Sequence, residues 1–116
     1  MEQQFGLTSS VTDGVLVIAT NGYINNVGGE AISKEFNSHF AGGLNNVVID
    51  LSGSKVVNSI GMSFLIEILE QLQESGGQMI FTGLDPAVEK MLAIMGIFTM
   101  AGKQPDVESA IRTLNA

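Results

Sequence analysis

Asn46-Val47-Val48-Ile49-Asp50-Leu51-Ser52-Gly53-Ser54-Lys55-Val56-Val57-Asn58-Ser59-Ile60-Gly61-Met62 joins a short apolar run to a polar loop and then to Asn-Ser-Ile-Gly. Val47 to Leu51 reads as a centrally placed strand, because a strand covered on both faces is apolar almost throughout. An amphipathic helix starts after the loop, so the Ser59 hydroxyl falls at a helix N-terminus, at the carboxyl end of a sheet strand. In open α/β sheets that edge is where ligands and partners are met. The free N–H groups of a helix start also favour negative charge. Ser59 is therefore a candidate to carry a reversible phosphate.

Strands and helices alternate on both sides of this stretch. Downstream, Ile60, Phe64, Leu65, Ile68, Leu69 and Leu72 form one apolar stripe, with Ser63, Glu67, Glu70, Gln71 and Glu74 opposite. Ser75-Gly76-Gly77 ends that helix, and Gln78 to Thr82 is a strand. Asp85-Pro86 is a helix start, N-cap followed by an N1 proline. The helix it opens is expected to turn Val88, Met91, Leu92 and Met95 inward and to stop at Gly96. A short strand around Phe98 to Ala101 and a helix from about Pro105 to Leu114 follow. Upstream, Phe5 to Val11 and Val15 to Thr20 are strands joined by the hairpin signal Thr12-Asp13-Gly14. Ile32, Phe36 and Phe40 recur every four residues and predict a helix from about Val27 to Phe40, stopped by Ala41-Gly42-Gly43.

The expected fold is α/β in one domain over residues 1–116: an N-terminal β-hairpin, then alternating helices and strands. The sheet is mixed and mostly parallel, with about five strands and about four helices. Right-handed crossovers place their helices on one side of such a sheet. Val15 to Ala19 is apolar on both faces, so the far side needs a cover beyond three crossover helices, and a docking partner or a dimer is the expectation.

Composition narrows the function. At 116 residues, 45% hydrophobic and 15% charged, the chain reads as globular with a single core. No apolar run reaches the length of a membrane span, and Met1-Glu2-Gln3-Gln4 has neither the basic nor the apolar part of a signal peptide. The absence of cysteine suits a reducing cytosol and removes thiolate metal ligands. A cytoplasmic location is expected, without membrane insertion. A net charge of -7 argues against a nucleic-acid partner and for a protein with a basic face. There is no phosphate-binding glycine loop, no dinucleotide fingerprint and no metal-ligand spacing, so neither cofactor nor metal is expected. His39, the sole histidine, is placed near the end of the first helix, solvent-exposed or interacting with that helix end. No Ser-His-Asp relay with Ser59 is expected, and the chain is read as not an enzyme. The methionines at 91, 95 and 100 read as core filler.

The chain resembles the STAS domain of bacterial anti-sigma-factor antagonists from about Gln4 to Leu114. Val47 to Leu51 matches the family strand, and Asn58-Ser59-Ile60-Gly61 matches its Asp-Ser-x-Gly phosphorylation motif. Gly22-Tyr23-Ile24-Asn25 stands where the family usually has Gly-Glu-Leu-Asp. Gly76-Gly77, Asp85-Pro86-Ala87-Val88 and Met95-Gly96-Ile97-Phe98 follow at matching spacing. The resemblance implies partner switching. The unphosphorylated antagonist binds an anti-sigma factor that is also a serine protein kinase and so frees a sigma factor. Phosphorylation of the motif serine, here Ser59, breaks that complex, and a serine phosphatase restores it. The implied switch pocket comprises Asn25, Asn58, Ser59, Ile60, Gly61, Met62 and Ser63. Gly61 is expected to let a partner backbone approach the serine, and Ser63 is a competing hydroxyl one turn on. Two amides, Asn25 and Asn58, replace the family's carboxylates and remove two negative charges beside the hydroxyl.

A plainer reading makes Ser59 the helix N-cap, although Asn58 can take that role and free it. The protein is then a non-phosphorylated STAS interaction module in a signalling or lipid-transport complex. A small-molecule sensor using the space between Asn25 and Ser59 for an anion is the third reading.

Overall fold

In the computed structural model, which describes residues 5–116, apolar alternation decides which side each strand turns to which layer. Met1–Gln4, where the leader reading and the start of the family likeness fall, lies outside the described residues. The chain runs β1 (Gly6–Thr12), β2 (Val15–Asn21), α1 (Asn26–Phe40), β3 (Asn46–Gly53), α2 (Ser59–Ser75) and β4 (Gln78–Thr82). It continues with α3 (Pro86–Ile94), a 3-10 turn (Ile97–Thr99), β5 (Gly102–Gln104) and α4 (Val107–Leu114). The strands lie side by side in sequence order, β1 antiparallel to β2 and the others parallel. Asp13 and Gly14 turn the hairpin with φ of 51° and 77°, the left-handed pair of a type I′ two-residue turn.

Leu16 and Ile18 of β2, Val47, Ile49 and Leu51 of β3, and Met79 and Phe81 of β4 face one core. Ile32 and Phe36 of α1, Leu65, Ile68, Leu69 and Leu72 of α2, and Val88 and Leu92 of α3 complete it. The alternate residues Val15, Val17, Val48 and Ile80 meet Ala110 and Leu114 of α4 on the other side. The second face is therefore covered from within the chain, which corrects the expectation that a docking partner or dimer must cover it. The helix that does so follows the last strand and so is not bound by the crossover rule.

Other expectations shift. Phe98 to Ala101 is not the last strand. The left-handed Gly96 (φ 77°) leads into the 3-10 turn, Ile97 is buried, and pairing with β4 starts only at Gly102. The last helix starts at Val107, not Pro105, because the Asp106 carboxylate accepts from Ser109 N–H and caps it. Met95 is 48% exposed, since it caps the short α3 rather than extending its apolar stripe. Ile60 likewise is 53% exposed: it lies in the first turn of α2, beyond the sheet edge. Phe64 is only half-buried, laid across α1 at Gly29, where an added Cβ would come within 2.5 Å of its ring.

Candidate functional site

Beyond the sheet edge, the segments leaving β2 and β3 continue side by side. Gly22 N–H donates to Gly53 O (2.9 Å), Ile24 N–H to Val56 O (3.0 Å) and Asn58 N–H back to Ile24 O (3.0 Å). Ile24 and Val57, which pair as an isolated parallel bridge, are both buried. The residue after each of them is an asparagine, and each asparagine caps a helix. Asn25 Oδ1 accepts from Val27 N–H (3.0 Å) and Gly28 N–H (3.2 Å) of α1. Asn58 Oδ1 accepts from Gly61 N–H (2.8 Å) of α2. Two helix N-termini therefore open next to one another on the carboxyl side of the sheet.

With Asn58 as cap, Ser59 is the first helical residue. Its side chain is exposed, and its hydroxyl makes no hydrogen bond among the described residues. Ser63, also exposed, donates to Ile60 O at 2.6 Å. Gly61 and Met62 are buried, Met62 completely, so those two sequence-predicted pocket residues anchor the helix to the core and do not line a surface. The close approach at Gly61 is internal. A Cβ there would lie 2.3 Å from Ile24 O, so glycine serves the packing of α2 against the β2 extension. This corrects the expectation that it makes room for a partner backbone.

Below the loop between β3 and α2, a half-buried carboxylate and two hydroxyls hold the backbone. Asp50 Oδ1 accepts from Thr82 Oγ1 (3.1 Å) and Ser52 N–H (3.3 Å), and Asp50 Oδ2 accepts from Ser52 Oγ (3.1 Å). The buried hydroxyls of Thr20 and Ser54 bond to each other at 2.8 Å. Sequence reading gave none of these residues a role, although a lone acidic residue near the end of an apolar strand is a signal that it has polar partners. It also missed that Tyr23, Val27 and Val56, on the segments flanking the two caps, are exposed like Ile60. Tyr23 and Val56, with Gly22, Ser52, Gly53 and Lys55, line a shallow cavity of about 230 Å³.

His39 belongs elsewhere. It sits in the last turn of α1 and hydrogen-bonds Glu35 at 3.2 Å, about 20 Å along the helix from Asn25 at 1.5 Å per residue. Glu35 is held below its usual carboxylate value chiefly by the hydrogen bond from Ser9; partial burial opposes this, and the hydrogen bond and charge of His39 lower it further. Among the described residues, no three acidic, histidine or cysteine side chains gather as a metal site. No described helix is long and apolar enough to cross a membrane.

The family model described as "STAS domain" matches residues 7–110. The chain belongs to the STAS domain family. This STAS domain is 26% identical, over 92% of its length and 95% of the relative's, to BtrV of Bordetella bronchiseptica, assigned as a candidate anti-sigma factor antagonist. It superposes on an anti-sigma factor antagonist from Mycobacterium paratuberculosis with a TM-score of 0.86, 21% identity and full coverage of both chains. The antagonist SpoIIAA in its unphosphorylated form gives 0.76 at 19% identity, covering 97% of this chain and 99% of that one. The phosphorylated form of SpoIIAA, described as a Bacillus cell fate determinant, gives 0.73 at 19% identity, covering 95% and 99%. At these identities the structural likeness speaks for the shared STAS fold.

Proposed function

We propose that this STAS domain is an anti-sigma-factor antagonist that binds a serine-kinase anti-sigma factor when unphosphorylated and is released when Ser59 is phosphorylated. The observation that carries the proposal is the Ser59 hydroxyl itself, exposed at the first position of α2 and left free because Asn58 does the capping. A phosphate there adds roughly -1.5 to -2 charge beside free N–H groups and the positive end of the helix dipole, so the fold tolerates it. Across a closed interface the same group must be desolvated, which costs several kcal/mol, a hundredfold or more in affinity. Tyr23, Val27, Val56 and Ile60 supply apolar contact area around the serine. In this role the protein is a kinase substrate and performs no chemistry of its own, and a serine phosphatase resets it.

The test is intact-mass analysis after incubation with the cognate kinase and ATP. A single phosphate is expected, absent in Ser59→Ala, while Ser59→Ala keeps binding the kinase with ATP present. Incorporation that survives Ser59→Ala would point to Ser63 and sink the proposal. The amides Asn25 and Asn58 favour a second reading, a non-phosphorylated STAS interaction module in a signalling or lipid-transport complex. Partner binding without incorporation, in the wild type and in Asn58→Asp alike, would decide for it.

A further inference from the structure

The two edges of the sheet are built differently. β5 is three residues long, carries Lys103 and is followed at once by Pro105, devices that stop a strand from pairing further. β1 has neither. It runs seven residues, Gly-Leu-Thr-Ser-Ser-Val-Thr, with no charge, no proline and an unbroken register against β2. Among the described residues nothing pairs with its outer side.

The register fixes which backbone groups are free. Thr12 and Val15 close the two-residue turn, and the pair closing such a turn is hydrogen-bonded. Bonded and non-bonded pairs then alternate along the ladder. Thr12, Ser10 and Thr8 therefore aim N–H and C=O at β2, while Leu7, Ser9 and Val11 aim theirs outward. The side chains of these last three share the face toward α1. Leu7 packs against the core, Ser9 donates to Glu35, and Val11 is left 50% exposed.

We propose that two copies of this chain pair through β1, antiparallel about a twofold axis at Ser9, to form one continuous sheet. Ser9 then lies opposite its counterpart, and Leu7 lies opposite Val11 of the second copy, so each exposed valine is covered by a leucine. Each of these pairs exchanges both of its backbone hydrogen bonds. A chain of net charge -7 repels its own copies, and the uncharged β1 is a place where two can touch. The carboxylate that contacts β1, Glu35, is held by Ser9 and His39. Twofold self-pairing closes on itself and gives a dimer, not a filament. Ser59 follows β3, two strands in from this edge.

Sedimentation equilibrium of the full chain tests it. The expected mass is twice the 12.2 kDa of one chain at high concentration, falling to a single chain on dilution. Val11→Lys is expected to leave a folded monomer. Ser9→Pro should do the same, because the N–H it removes points away from β2; circular dichroism and a thermal melt check each variant. If Ser9→Pro fails to fold, Val11→Lys decides alone. Amide exchange at Leu7, Ser9 and Val11 should slow in step with the dimer fraction, with Thr8 and Ser10 unchanged. A single-chain mass up to millimolar concentration, or a dimer that persists in folded Val11→Lys, would overturn the proposal.

Discussion

Ser59 and Asn58 divide between them two tasks that one residue could have combined. Asn58 accepts from Gly61 N–H and caps α2, which leaves the serine oxygen facing water. Asn58→Ala is therefore expected to cost about 1 kcal/mol and Ser59→Ala close to nothing, both read from urea denaturation. Equal penalties would mean that the serine shares the cap. Glu35 offers a pH test. The Ser9 hydroxyl stabilises its charged form and lowers its pKa from 4.5. A lowered folded-state value means that the unfolded chain binds the proton more readily, so the contribution is present above pH 4.5 and lost as pH falls through the folded value. Carbon-detected NMR titration of Ser9→Ala should show Glu35 titrating at higher pH. The stability gap to wild type should close in acid.

Among the elements, α4 carries a role out of proportion to its eight residues. Without it Val15, Val17, Val48 and Ile80 would form an apolar patch on the open face of the sheet, the kind of surface that draws other molecules. Its hold on the sheet is apolar: Ala110 and Leu114 are buried there, and Val107 and Ile111 pack at the margin. Ala110→Glu should place an unpaired carboxylate at that contact and cost about 3–5 kcal/mol if the helix stays docked. If it detaches, the readout is binding of a hydrophobic dye with native signals kept in α1 and α2. A variant as stable as wild type, with no dye binding, would show that α4 contributes little. The crossover helices depend instead on close approach. Gly29 against the Phe64 ring and Gly61 against Ile24 O set how near α1 and α2 lie to each other and to the β2 extension.

Across the whole molecule, an acidic body carries exposed apolar side chains on the segments that flank Ser59, among them Val27, Val56 and Ile60. The net charge of -7 should steer a basic-faced partner and have less effect on the complex once it forms. If the proposed function holds, association with the kinase is expected to slow as salt rises, with a much smaller change in dissociation, measured by stopped-flow fluorescence. Ser59→Asp should weaken the complex while far-UV circular dichroism stays unchanged. A loss of helix signal would mean that the first turn of α2 does not tolerate charge.

Most of the element order was legible before any contact was known, because local signals mark it: the 3.6-residue stripes of α1 and α2, the Asp85-Pro86 start, the Asp13-Gly14 turn and the apolar run of β3. The three-residue β5 had no such signal and was expected too early, at Phe98 to Ala101. The sequence also placed Ser59 at a helix start, since Asn-Ser-x-Gly follows a strand within a few residues. What each signal packs against came only with the folded contacts. That α4 covers the second face, that Met62 is core while Ile60 is surface, and that Gly61 meets Ile24 all rest on residues far apart in the chain. So do the ties from Asp50 to Thr82 and from Thr20 to Ser54. Periodicity records only that a side chain has a face. Which neighbour meets that face depends on how distant segments close on one another, and no local pattern encodes that.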